Sequence, residues 1–244
     1  MPLRRIVMNR VGDGAVDTTV WDLRVRLYPN GNGCEKIALF TPDMYDVAER
    51  DVLRKAIDEF RGEGNFTFVD IGANVGLYAL FVASLKKEQV RVLAIEPQPG
   101  IVERLTFNIR ANPALQIDVA AQAVSDHEGE IGLVMNRRDR GGSHIAKRAA
   151  PADAAVVRVP CQPLTSILAQ FGIKAIDALK IDIEGSEDLA LAPFLRDASR
   201  DLLPRVVVIE DRQSDWSTDL LSLFRQRSYS VAARTKQNMV LQVA

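Results

Sequence analysis

From Phe66 onward, short apolar runs alternate with longer stretches of helical period. Phe66 to Ile71 is a run of strand length, and Val75 to Lys87 reads as a crossover helix. The apolar run repeats over Val90 to Ile95. Pro97-Gln98-Pro99 then turns the chain into a helix carrying Val102, Leu105, Phe107 and Ile109, which Asn112-Pro113 breaks. Strands are predicted over Ile117 to Val124, Glu130 to Met135, Val156 to Val159, Ala175 to Ile183 and Arg205 to Glu210. Leu164 to Phe171 reads as a short helix. Ser214 to Arg227 reads as another, with Trp216, Leu220, Leu223 and Phe224 on one face. Tyr229 to Ala233 and Asn238 to Val243 form a closing antiparallel pair. Apolar strands separated by helices indicate an α/β domain, a mostly parallel sheet covered on both faces.

The chain before Phe66 follows a different pattern. Val20 to Tyr28 alternates in strand fashion, Pro29 to Gly33 is a turn, and Lys36 to Phe40 is expected to return as the second strand of a hairpin. Thr41-Pro42-Asp43 resembles a helix start, with threonine as N-cap and proline at the first position. Val47, Leu53, Ile57 and Phe60 supply that helix with an apolar stripe. The expected organisation is a β-hairpin and helix extension over 1–64 and a ligand-binding domain over 65–244.

Composition narrows the classes. Hydrophobic and charged fractions of 47% and 26% are those of a folded globular chain. A net charge of -1 gives no global attraction to nucleic acid, and no nucleic-acid partner is expected. Cys34 and Cys161 are too few for a disulfide scaffold and fit a reducing compartment. No Cys/His set has zinc spacing. The N-terminus lacks an apolar signal region, and no run approaches the roughly 20 residues of a membrane span. A cytoplasmic location is the expectation.

Candidate chemistry gathers at the strand ends, where ligands bind in α/β sheets. Asp70 closes the first strand of the sheet and precedes the turn Gly72-Ala73-Asn74-Val75-Gly76; Glu96 closes the next strand. Gly72 permits a tight turn and close approach of a ligand, and Gly76 permits close packing of helix on strand. Backbone amides at the helix start can receive a carboxylate. Asp70 can meet an ammonium group, and Glu96 can hold two ribose hydroxyls. S-adenosylmethionine carries all of these groups. The G-x-G-x-x-G spacing of nicotinamide-binding loops is missing.

These residues also carry a family resemblance. Val69-Asp70-Ile71-Gly72-Ala73-Asn74-Val75-Gly76, Glu96-Pro97-Gln98-Pro99, Ala123-Val124-Ser125-Asp126 with Gly129, and Lys180-Ile181-Asp182-Ile183-Glu184-Gly185-Ser186-Glu187 occur in one order. In this the chain resembles the FkbM family of S-adenosylmethionine-dependent methyltransferases. The resemblance implies a class I, Rossmann-like methyltransferase fold: a seven-stranded sheet whose last strand is antiparallel. It implies O-methylation of a hydroxyl on a sugar, glycan or small natural product. It places Val124, Ser125 and Asp126 along the adenine, although Asp126 could instead organise a turn before Gly129. Asp70, Gly72, Ala73, Asn74, Gly76, Glu96, Pro97 and Asp182 complete the expected cofactor contacts.

A second centre is Asp182-Ile183-Glu184-Gly185. Period-two alternation puts Asp182 and Glu184 on one side if the strand continues. Either could be the base that removes an acceptor proton, or both could hold a divalent cation. Alternatively, Glu184 caps the following helix and Asp182 orients the sulfonium end. Glu210 could line the acceptor pocket or sit in a salt bridge. His144, in the polar and basic stretch Asn136 to Arg148, is a further candidate base in a loop expected to cover the site. Arg137, Arg138, Arg140, Lys147 and Arg148 in that stretch could meet an acidic substrate. Two other functions remain open: a cofactor-binding assembly or sensor protein without activity, and a nicotinamide oxidoreductase.

Overall fold

The computed structural model describes residues 2–135, 144–145 and 155–243. Its centre is a seven-stranded sheet in the order β12-β13-β11-β10-β3-β4-β5. The strands are β3 (Phe66–Ile71), β4 (Val90–Ile95), β5 (Gln116–Ala120), β10 (Ala178–Ile181), β11 (Val206–Glu210), β12 (Tyr229–Arg234) and β13 (Asn238–Val243). β3, β4, β5, β10 and β11 pair in parallel, while β13 runs antiparallel to both β11 and β12. This is the class I methyltransferase arrangement expected above. Its central strands are buried on both faces, so their apolar runs are nearly unbroken: Phe68, Val69, Val92, Leu93, Ala94, Leu179 and Val208 are fully buried.

Helices cover both faces. α4 (Leu77–Leu85) and α5 (Pro99–Arg110) pack with the N-terminal segment on one side; α6 (Leu164–Gln170), α7 (Glu187–Asp197) and α8 (Leu220–Gln226) pack on the other. α4 is apolar nearly all round because it is enclosed between the sheet and the N-terminal segment, which bury Leu77 to Ala83. A second sheet, in the order β6-β9-β7-β8, flanks the β5 edge. It comprises β6 (Ala123–Val124), β7 (Gly129–Val134), β8 (His144–Ile145) and β9 (Val156–Gln162). The expected third strand thus divides, Gln116–Ala120 staying in the main sheet and Ala123–Val124 joining the second.

The N-terminal segment differs most from the expectation. Its hairpin pairs β1 (Val16–Val20) with β2 (Leu23–Leu27), joined by Trp21 and Asp22, both at positive φ. That two-residue connection matches the twist of a hairpin. Lys36 to Phe40, expected as the return strand, lies in helix α2 (Gly33–Phe40). Asn32 caps it by accepting from the Glu35 amide, and one face buries Glu35 and Ala38. A short apolar run cannot be told from a helix turn by composition alone, and the cap decides. Pro42–Met44 forms only a 3-10 turn, and α3 (Val47–Glu59) begins beyond it. Α first helix, α1 (Pro2–Val11), gave no clear periodic signal. In the Ser214 to Arg227 stretch, a 3-10 turn at Gln213–Asp215 precedes α8.

The segment shares its core with the sheet. Leu27, Leu53 and Ile57 join one apolar cluster with Phe66, Leu80 and Val92. Buried polar ties reinforce this. Glu35 accepts from Arg104 at 2.8 Å and from the Tyr28 amide, and Asn108 Oδ1 accepts from the Arg26 amide at 2.7 Å. Glu49 accepts from Thr235 and Asn238 at the β12–β13 turn. A buried carboxylate is tolerated because it is paired.

Candidate active site

The turn after β3 is built by backbone necessity. Gly72 lies at φ +75°, and a Cβ there would collide with the Asp182 carbonyl at the end of β10. The amides of Gly72 and Ala73 both donate to the Ile95 carbonyl, at 2.9 and 3.0 Å. Asn74, at φ +52°, donates its amide to Glu96 Oε2 at 3.0 Å. Asn74 Oδ1 accepts from the Val75 amide and from Asn32 Nδ2. The Gly76 amide donates to the Ala73 carbonyl.

Every amide from 72 to 76 therefore has an acceptor within the protein. The donors left at this end are the first-turn amides of α4, whose Leu77 and Tyr78 line the adjoining cavity. Gly76 has a different reason from the one anticipated. Its Cβ would lie 2.6 Å from Leu105 Cδ1, so it admits α5 rather than the strand.

Glu96 ties the two turns together, since its Oε1 accepts from the Gln98 amide at 2.9 Å. Burial pushes its carboxyl up to about 7, against those two amides. Pro97 lies between these contacts. Asp70 is fully buried beneath the turn, and neither carboxyl oxygen has a hydrogen-bond partner among the described residues. Burial pushes it up to about 6; Lys180, with Nζ 3.9 Å away, opposes that shift.

Lys180 was quoted only as part of a motif, yet it is the centre of the charge arrangement. It is 6% exposed, and its Nζ lies 3.4 Å from Asp182 Oδ2 and 5.0 Å from the centre of the Tyr78 ring. Asp182 and Asp70 raise its pKa against the opposing effect of burial. The signal available in the sequence was a lysine inside an otherwise apolar strand, a position that demands a buried counter-charge.

A cavity of about 250 Å³ opens beside this group. Its floor is the Gly72–Asn74 turn, Lys180 and Asp182; Glu184, Glu210 and Asn238 form one wall. Gly33, Cys34 and Ile37 from α2, together with Tyr45 and Asp46, form the opposite wall. Tyr78 donates its hydroxyl to Asp46 at 2.9 Å. Burial pushes the Cys34 thiol up to about 12, so it stays protonated. This second wall comes from the N-terminal segment, and nothing in the local pattern pointed to it.

Asp182 and Glu184 both line the cavity, but by another route than strand alternation. β10 ends at Ile181, and Glu184 and Gly185 take positive φ. Glu184 does not cap α7. Glu187 supports that bend instead, accepting from the Ile183 and Gly185 amides at 3.1 Å and from Trp216 Nε1 at 2.7 Å. Arg212 reaches Glu184 at 3.2 Å and Glu210 at 3.7 Å.

Other expected residues lie apart from this cavity. Val124 and Ser125 are buried on the second sheet, and the Ser125 amide donates to Gln162. Asp126 is half-exposed and accepts from His127 at 2.8 Å, a contact that holds its carboxyl below the usual range. The backbone of His144 pairs with Val134; its side chain lies outside the described residues. Arg137, Arg138, Arg140, Lys147 and Arg148 also lie outside them. Among the described residues, no three His, Cys, Asp or Glu side chains converge to hold a metal ion. Asp182 and Glu184 each face a cation of the protein instead.

A family model for the methyltransferase FkbM domain matches residues 70–231, the greater part of the chain. The chain belongs to the methyltransferase FkbM family. It is 29% identical over 177 residues to methyltransferase sdnD of Sordaria araneosa, covering 61% of this chain and 63% of that protein. It is 27% identical over 208 residues to AMB antimetabolite synthetase AmbE of Pseudomonas aeruginosa, covering 68% of this chain and 10% of that one. The chain thus spans less than two thirds of either relative. The crystal structure of methyltransferase FkbM from Methylobacillus flagellatus KT superposes with a TM-score of 0.52 at 18% identity. That match covers 99% of this chain and 58% of the other, and shows the shared FkbM fold. The family match runs from Asp70 past Glu210, so it includes the turn and both acidic strand ends but not the Gly33–Asp46 wall. No helix among the described residues is long and apolar enough to cross a membrane.

Proposed function

We propose that this methyltransferase-family chain transfers a methyl group from S-adenosylmethionine to a hydroxyl of a small molecule or glycan. The observation carrying this reading is the acid-lined cavity at the carboxyl ends of β3, β10 and β11, beside the Gly72 turn. The donor has a permanent sulfonium charge and an ammonium group. Asp46, Asp182 and Glu184 against Lys180 leave the cavity lining with an excess of carboxylates, which suits such a cation. The main-chain amides of Leu77 and Tyr78 at the start of α4 suit its carboxylate. Glu96, with a free lone pair on each oxygen, suits the ribose. Asp126, at the β5 edge, supports an adenine position beyond it.

The bound donor supplies an electrophilic methyl group. The protein's part is to fix the acceptor oxygen in line with it, a positioning effect of large magnitude. Carboxylates at the strand ends provide an acceptor for the hydroxyl proton, which argues for oxygen as the receiving atom. Calorimetry with S-adenosylmethionine, followed by mass spectrometry of products from a hydroxyl-bearing acceptor library, tests the proposal. The expected result is micromolar donor binding and a mass gain of one methyl group on an acceptor. Binding with no transfer to any acceptor would favour the non-catalytic alternative, and no binding would overturn the donor assignment.

A further inference from the structure

Among the ionisable groups that line the cavity, most are already committed. Cys34, Tyr45 and Tyr78 are pushed upward by burial and keep their protons. Asp46 accepts from the Tyr78 hydroxyl. Asp182 faces Lys180, and Glu184 faces the Arg212 guanidinium at hydrogen-bonding distance. Glu210 differs. Its side chain is 15% exposed, its Oε1 lies 3.7 Å from Arg212 Nη1, and its Oε2 is buried with no hydrogen-bond partner among the described residues. It ends β11 directly beside β10, and it lines the same cavity as Asp182.

We propose that Glu210, rather than Asp182, Glu184 or His144, is the catalytic base of the transfer. This rests on the methyl-transfer reading above. The Glu210 carboxylate takes the acceptor's proton as the oxygen lone pair forms the C–O bond to the methyl carbon; the electron pair of the breaking C–S bond stays on sulfur. The products are a methyl ether, a neutral thioether and protonated Glu210, so atoms and charge balance. Asp182 then has a positioning role, anchored by Lys180. The groups that face Glu210 are Asp182 from β10, Glu184 from the bend, Glu187 from α7, Arg212 from its own loop and the neutral Asn238 from β13. Burial and the three carboxylates push its carboxyl up to about 8, with Arg212 opposing them. A carboxylate near the operating pH is a better proton acceptor than one of ordinary acidity.

The test needs no acceptor. S-adenosylmethionine and S-adenosylhomocysteine differ by the methyl group and its positive charge, so the ratio of their dissociation constants reads the negative charge facing the methyl group. Calorimetry between pH 6.5 and 9 is expected to show the wild-type protein's selectivity for the sulfonium form, taken relative to E210Q so that titration of the ligands' own amino groups cancels, rising in a several-fold step toward pH 9. E210Q is expected to bind S-adenosylhomocysteine as the wild type does, while E184Q keeps the pH step. A wild type that binds both ligands with a selectivity parallel to that of E210Q across the range overturns the role of Glu210 and leaves the donor assignment standing. If neither ligand binds the wild type, the donor assignment itself fails and the role of Glu210 fails with it.

Discussion

The two sides of the candidate site are built in opposite ways. On the β3–β4 side, each amide from Gly72 to Gly76 is satisfied within a few residues or by the neighbouring strand, and Glu96 closes the arrangement. On the β10–β11 side, the cavity is assembled from distant stretches: Cys34 and Asp46 on one wall, Lys180 and Asp182 on the floor, Glu210 and Asn238 opposite. The first side is a backbone device with little freedom. The second is a set of charged side chains held by long-range packing, with one buried oxygen uncommitted. Substitution should therefore break the first through folding and the second through chemistry.

The largest effect is expected at Gly72. Gly72→Ala adds a Cβ against the Asp182 backbone at a φ that disfavours side chains, and is expected to lower stability by about 3 kcal/mol or more. Urea denaturation checks it, and a loss below about 1 kcal/mol would mean that the turn can relax. Glu210→Gln is expected not to lower the urea midpoint, since it removes a buried ionisable group whose carboxyl is pushed up to about 8, and to lower kcat about 10²- to 10⁴-fold on a hydroxyl acceptor. Unaltered turnover would erase the contrast between the two sides. Glu96→Gln is intermediate: S-adenosylhomocysteine binding should weaken by about 1.5–3 kcal/mol, as for hydrogen bonds to a charged group. Calorimetry that shows equal affinity would remove Glu96 from the donor site.

The pH dependence of the unliganded protein sharpens the same comparison. Asp70, Glu96 and Glu210 all have carboxyls raised above their ordinary values, to about 6, 7 and 8. The folded state then holds protons that the unfolded chain has released. The stability they confer is complete below about pH 4 and is lost as pH rises toward 8. Urea midpoints from pH 4.5 to 8 should fall in the wild type and fall less in Asp70→Asn; an identical slope in both would contradict the burial assigned to Asp70. The smallest effect is expected at Asp17→Asn, which removes an exposed ion pair with Arg26 and should not move the midpoint measurably.

The contrast also explains what the sequence revealed. β3, β4 and β11 were legible because buried parallel strands leave unbroken apolar runs, and the Asp70–Gly76 turn was legible because its chemistry is local. The cavity wall from Gly33 to Asp46 was not. Gly33–Phe40 has an apolar run that suits a strand, but the Asn32 cap and the Glu35–Arg104 pair make it a helix. Lys180 acquires its meaning from Asp70, 110 positions earlier, brought alongside by the β3–β10 pairing. Asp182 and Glu184 were correctly grouped through an incorrect geometry, because the Glu187 bend brings them to one cavity where an extended strand was assumed.

The contact between Gly72 and the Asp182 carbonyl has a consequence for reaction geometry. Two strand ends meet backbone to backbone, with no side chain between them to change rotamer. The spacing between the Gly72 turn and the end of β10 is thus fixed by main-chain dimensions when the protein folds. For a methyl transfer, where an error of about 1 Å can cost two orders of magnitude in rate, that joint acts as a gauge block set before either substrate arrives.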